Sequence, residues 1–159
     1  MKMKDKSLLF LGAGLCILFL ELLVVGTKLN SLNVLTYLFS VGLLPAIILF
    51  VSSLLYSMKA TTSKKFTYIA AIALALVFSV ILLVFCSNMI TNEVIDTIIA
   101  NSITSDTTQV SMTTASAGDN IQSILLFIAF SGLGAFIGNR RRSKCKKDAK
   151  HSHLDEYDN

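Results

Sequence analysis

The sequence has no tryptophan, one proline and three cysteines in 159 residues. Charged residues make up 15% of it, where soluble domains carry about 25%. Each shortage excludes something. Cys16 and Cys86 fall at different depths in different apolar runs and Cys145 lies outside them, so no disulfide scaffold is expected. His151 and His153 both lie near the C-terminal end, so no apolar run supplies a haem ligand or a Ser-His dyad. No aspartate falls inside an apolar run, which excludes an intramembrane aspartyl protease. There is no P-loop, no HExxH and no paired carboxylates within a run. The reading is therefore a non-enzymatic chain without catalytic residues, cofactor or metal.

What the sequence has is 53% hydrophobic residues, gathered into long runs. Ser7–Thr27 carries one charge, Glu21; Val34–Ser57, Phe66–Ser87 and Ile121–Gly138 carry none. At about 1.5 Å per residue, even the shortest of these makes a helix of about 27 Å, close to a hydrocarbon core of about 30 Å. Lipid offers no partner to a free backbone group, so a spanning run must be helical unless it closes a barrel. No stretch alternates apolar and polar residues as barrel strands do. The expected fold is an all-α integral membrane bundle of four transmembrane helices. Its membrane domain covers residues 1–139, with spans at about 7–27, 34–57, 66–88 and 121–138 and an outer loop at 89–120. Residues 140–159 form a basic-then-acidic tail with no fixed structure expected.

Lysine and arginine give the orientation. Lys2, Lys4 and Lys6 precede the first span, Lys59, Lys64 and Lys65 flank the second connection, and Arg140 to Lys150 follow the fourth. Four spans put all three clusters on one side and leave Lys28 on the other. Basic residues near span ends favour the cytoplasm, so both termini are expected there, in a multi-pass protein of the cell membrane. Tyr56 and Tyr68 then fall near inner ends and Tyr37 near an outer end, as in interfacial aromatic belts. Val24-Val25-Gly26 has some likeness to a signal cleavage site, but the apolar run before it exceeds the usual signal length, so the first span is expected to be kept. In the third connection, Ile90, Val94, Ile95, Ile98 and Ile99 share a helical face, which predicts a helix that extends the third span or lies on the outer interface. Thr104–Asn120 has no such period.

Glu21 is the ionisable residue within a span. A carboxyl there must be protonated, hydrogen-bonded or within reach of water, and intramembrane carboxylates are candidates for function. Ser40, Ser87 and Lys28 are its expected neighbours. Leu11-Gly12-Ala13-Gly14, Glu21 and Gly26-Thr27 together resemble the first helix of small multidrug-resistance transporters, which are also four-helix proteins with a membrane glutamate at that place. The resemblance covers this one helix and needs a gap to align. It implies a proton-coupled binding or transport site at Glu21.

The remaining signals concern packing. Gly134 and Gly138 lie one turn apart, with Ser131 and Ala135 beside them, so another backbone can approach closely. Gly12 with Cys16, and Ala71 with Ala75, make similar strips. Pro45, in the middle of the second span, removes a helix hydrogen bond and is expected to kink it. Arg140, Arg141, Arg142, Lys144, Lys146 and Lys147 are expected at anionic lipid headgroups, at about 1 kcal/mol each near the surface. No aromatic residue interleaves with them, so nucleic acid is not an expected partner. The leading functional reading is an accessory, scaffold or interaction subunit that binds another membrane protein or a second copy of itself. The alternatives are a small proton-coupled transporter and a holin-like pore.

Overall fold

The computed structural model describes the backbone of residues 7–102 and 117–155, and the side chains of 7–102 and 121–145. Among the described residues, every regular element is helical. The helices are α1 (Leu8–Lys28), α2 (Val34–Leu38), α3 (Leu44–Lys59), α4 (Lys64–Met89), α5 (Asn92–Ala100) and α6 (Ala117–Asp155). Four stretches, Leu8–Ser31, Val34–Lys59, Lys64–Met89 and Ile121–Cys145, are long and apolar enough to cross a membrane. That suits a small multi-pass membrane protein.

The boundaries follow from local chemistry. Asn33 opens α2 by accepting the Thr36 N–H on its side-chain oxygen at 2.8 Å. Ser63 opens α4 in the same way for Phe66 at 3.3 Å, and Thr91 opens α5 for Val94 at 3.4 Å. Each satisfies one of the N–H groups that a helix start leaves without an intrahelical partner. The disturbance expected at Pro45 takes the form of a π turn over Phe39–Leu43, just ahead of the proline, which sits in the first turn of α3. There the Leu44 N–H reaches back five residues to the Phe39 carbonyl. Pro45 has no N–H to donate and its ring crowds the carbonyl of Val41, so a widened turn relieves the clash.

Neighbouring helices fix the directions. The position of a Cβ on Gly14 meets Ser52, and one on Gly26 comes 3.2 Å from Phe85. Thus α1 runs antiparallel to α3 and parallel to α4. Thr67 on α4 bonds to Asn139 on α6, and Arg142 on α6 bonds to Ala60 just after α3. Ser7, the 60–63 connection and residues 139–145 therefore share one end of the bundle, the basic end. The opposite end is closed by α5. It is a separate short helix rather than an extension of the third span. Ile98 is fully buried against Val25, Leu29 and Leu32 at the turn between α1 and α2. The Asn101 amide donates to the carbonyls of Asn30 and Leu32, each at 3.0 Å, and the Ser102 hydroxyl accepts the Val34 N–H at 2.7 Å.

Two expectations are corrected. The helix α6 continues through the basic cluster to Asp155, where an unstructured tail was expected. No proline or glycine follows Gly138, and lysine, arginine and alanine are good helix formers. Tyr56 is not part of an interfacial belt, because it is fully buried inside the bundle. The Ser/Thr-rich segment falls mostly outside the described residues.

Candidate functional site

The interior of the bundle is built from small and hydroxyl-bearing residues. Gly134 and Gly138 lie directly on the α3 backbone: a Cβ on Gly134 would collide with the Phe50 carbonyl, and one on Gly138 would come 2.7 Å from the Leu54 carbonyl oxygen. Without a Cβ the two chains approach closely, which is how helices gain contact in lipid. Ala71, Ala75 and Ala135 are fully buried beside this contact. Phe78 and Phe127 fill the space next to it edge to face, with ring centroids 5.4 Å apart.

A seam of polar groups follows the same interface toward the basic end. The Ser131 hydroxyl donates to the Ala71 carbonyl at 2.8 Å and meets the Ser53 hydroxyl at 2.6 Å. Further along, the Asn139 amide donates to the Thr67 hydroxyl at 2.8 Å, which in turn donates to the Lys64 carbonyl at 2.7 Å. Arg142 ends the seam by donating to the Ala60 carbonyl at 2.6 Å. The Tyr56 hydroxyl, the Ser57 hydroxyl and the Asn139 side-chain oxygen are buried here without a protein partner.

Arg142, expected at a lipid headgroup, makes a bond within the protein. It is half-buried and ties α6 to the turn after α3, leaving Arg140, Arg141 and Lys144 exposed. The side chains of Lys146 and Lys147 lie outside the described residues.

Glu21 sits on the half-buried edge of α1, beside the buried Leu18, Leu22 and Val25. Both of its carboxyl oxygens are enclosed, and no protein group bonds to either. Ser40, Ser87 and Lys28, the expected partners, make no hydrogen bond with it. Gly12 also departs from expectation. It faces outward with nothing within 4 Å of where a Cβ would stand. The packing role belongs to Gly14, two residues on, which presses against Ser52. In a helix, positions two apart face opposite sides, so Gly12-Ala13-Gly14 alone does not tell which glycine turns inward.

The polar seam was largely missed by sequence reasoning, which named Ser131 only as a small residue. The signal was the spacing of Ser53 and Ser57 on α3, with Ala60 just after it, against Ser131, Asn139 and Arg142 on α6. Cys16, Cys86 and Cys145 are free thiols. Among the described residues no three potential metal-ligating side chains come together. No family model, no curated protein and no solved structure matches this chain. The likeness of α1 to small multidrug-resistance transporters therefore gains nothing from these comparisons.

Proposed function

We propose that this protein is a non-enzymatic interaction subunit of a cell-membrane complex, with the basic end of its bundle in the cytoplasm against anionic headgroups. One observation carries the reading. The outward face of α1 presents Gly12, Ala13 and Cys16, all exposed, with no neighbour within 4 Å of the Gly12 Cβ position. An unpacked glycine in a helix interior costs about 1 kcal/mol relative to alanine. A helix from another membrane protein or a second copy can use the gap, because small residues let helices in lipid approach closely. The clustering of cations at the basic end supports the orientation. Purification in mild detergent should recover a stoichiometric partner or a homo-oligomer, and Gly12→Leu should release it without lowering the melting temperature of the chain itself. Repeated recovery of monomer alone would count against the reading. For orientation, a membrane-impermeant maleimide should label Cys145 in inverted vesicles and not in intact cells.

A second reading rests on Glu21, whose enclosed and unpartnered carboxyl is the kind of group that binds a proton or a cationic substrate within a membrane. Reconstituted wild-type protein would then show proton-coupled efflux, and Glu21→Gln would abolish it. Equal flux with both proteins would remove this reading.

A further inference from the structure

Both carboxyl oxygens of Glu21 are enclosed, so a proton or cation that binds there needs a path to them. Toward the basic end that path is shut by spanning helices. Leu18, one turn from Glu21, is fully buried, and Gly14, about two turns away on the same face, presses on Ser52 of α3. Opening this side would part α1 from α3. Toward the opposite end the closure is of another kind. Val25 lies one turn beyond Glu21 on the same face, buried in a small apolar cluster with Leu29, Leu32 and Ile98. Val41 of the second span and Phe85 of α4 pack against that cluster. Val41 packs as well against the cluster that holds Leu18 and Leu22, on either side of Glu21. Three spans therefore converge just beyond Glu21, and Ile98 of α5 is buried among them with no exposed surface.

The element that brings Ile98 there is lightly attached. At nine residues, α5 is too short to be a stable helix without its packing. Ile90 and Thr91, which join it to α4, leave the helical conformation, at φ −99°, ψ 86° and φ −85°, ψ 166°. Residues at the ends of elements are where hinge motion is absorbed. One face of α5 is spent on Ile95 and Ile98, while Glu93 and Asp96 are exposed. Its C-terminal end is latched by Asn101, bonded to the Asn30 and Leu32 carbonyls, and by Ser102, bonded to the Val34 N–H. These bonds hold it to the turn between α1 and α2, and releasing them separates no pair of spanning helices.

We propose that α5 is a lid over Glu21. When it is closed, Ile98 seals the convergence of α1, the second span and α4, and the carboxyl is dry. When Asn101 and Ser102 let go, Ile98 withdraws and water or a small cation reaches Glu21 past Val25. The inference deepens the second reading above and rests on it for what Glu21 binds. It is independent of the docking face proposed on α1.

The test is chemical access to Glu21. The full chain in nanodiscs of uncharged lipid, open to reagent from both sides, is treated with a water-soluble carbodiimide and an amine, and labelled peptides are measured by mass spectrometry. Glu93, exposed on α5, is the internal standard. Asn101→Ala with Ser102→Ala should speed labelling of Glu21 relative to Glu93 by about tenfold, the scale of losing a few hydrogen bonds. Arg142→Gln loosens the basic end instead and should not speed it. Equal acceleration by Arg142→Gln would mean general loosening of the bundle and overturn the lid. Unchanged labelling in the latch variant would also overturn it, while proton-coupled flux that depends on Glu21 would still stand. Conversely, equal flux with Glu21→Gln removes the transport reading, and faster labelling in the latch variant would still show the lid. Hydrogen exchange on the wild-type chain gives a measurement that needs no variant. The amides of α5 should exchange together and at least tenfold faster than those of α1 around Glu21. Exchange of α5 as slow as that of α1 would overturn the lid even where a variant folds poorly.

Discussion

Ser53 and Ser131 meet hydroxyl to hydroxyl at 2.6 Å, each fully buried, one on α3 and the other on α6. Because Ser131 gives its one hydrogen to the Ala71 carbonyl, Ser53 is the donor to Ser131. Three helices are thereby joined through two hydroxyls, in a segment where apolar contact alone gives no direction. In lipid such a bond is directional even where its net strength is modest.

A double-mutant cycle on this pair measures its worth. Ser53→Ala and Ser131→Ala should show a coupling of about 0.6 kcal/mol, with about 1.7 as the upper bound, on the scale seen between membrane helices. Reversible unfolding in mixed micelles reads it. Additive single effects would mean that the two hydroxyls contribute nothing to each other.

The two kinds of glycine separate cleanly. Gly134→Ala places a methyl group against the Phe50 carbonyl and should destabilise the bundle by about 1–3 kcal/mol, the usual range for overpacking. Gly12→Ala meets nothing and should stabilise the helix by up to about 1 kcal/mol. Thermal melting of the two variants in one detergent compares them directly, and equal shifts would contradict the packing described.

Arg142 and Arg141 are adjacent, yet they should behave differently. Arg142→Gln removes the donor to the Ala60 carbonyl and should cost about 1–3 kcal/mol, since a part-buried acceptor loses its charged partner. Hydrogen exchange across residues 58–67 should quicken. Arg141→Gln, from an exposed position, should leave that exchange as it was.

Glu21→Leu replaces an enclosed, unpartnered carboxyl with an apolar side chain. It should raise stability by about 1–3 kcal/mol, the cost of burying a polar group without a partner. A loss of stability instead would show that the carboxyl has a stabilising partner in the membrane.

The positions and number of the apolar runs were readable from residue order, because a run without charge and of sufficient length has few alternatives to a spanning helix. The short helix α5 was readable from the period of Ile90, Val94 and Ile98. Where it packs was not: its contacts with Asn30, Leu32 and Val34 cross about 70 positions of chain. Arg142 shows the same limit within the basic cluster. A run of cations reads as a uniform surface feature, and only the close approach of α6 to the turn at Ala60 draws one of them inward.

By itself, then, the sequence determined where the chain can cross a bilayer and which connections carry the positive charge. Both are sums over stretches of residues and need no knowledge of neighbours. Which face of each helix turns inward was decided by the tertiary structure alone. Leu20, Ile69 and Leu125 are at least 60% exposed, while Ser53, Ser131 and Gly134 are buried. That reverses the order expected of a protein folding in water. In lipid a leucine gains little by turning inward, so hydropathy does not select a face. The choice falls to close backbone approach and to hydrogen bonds, which exist only once two helices are side by side.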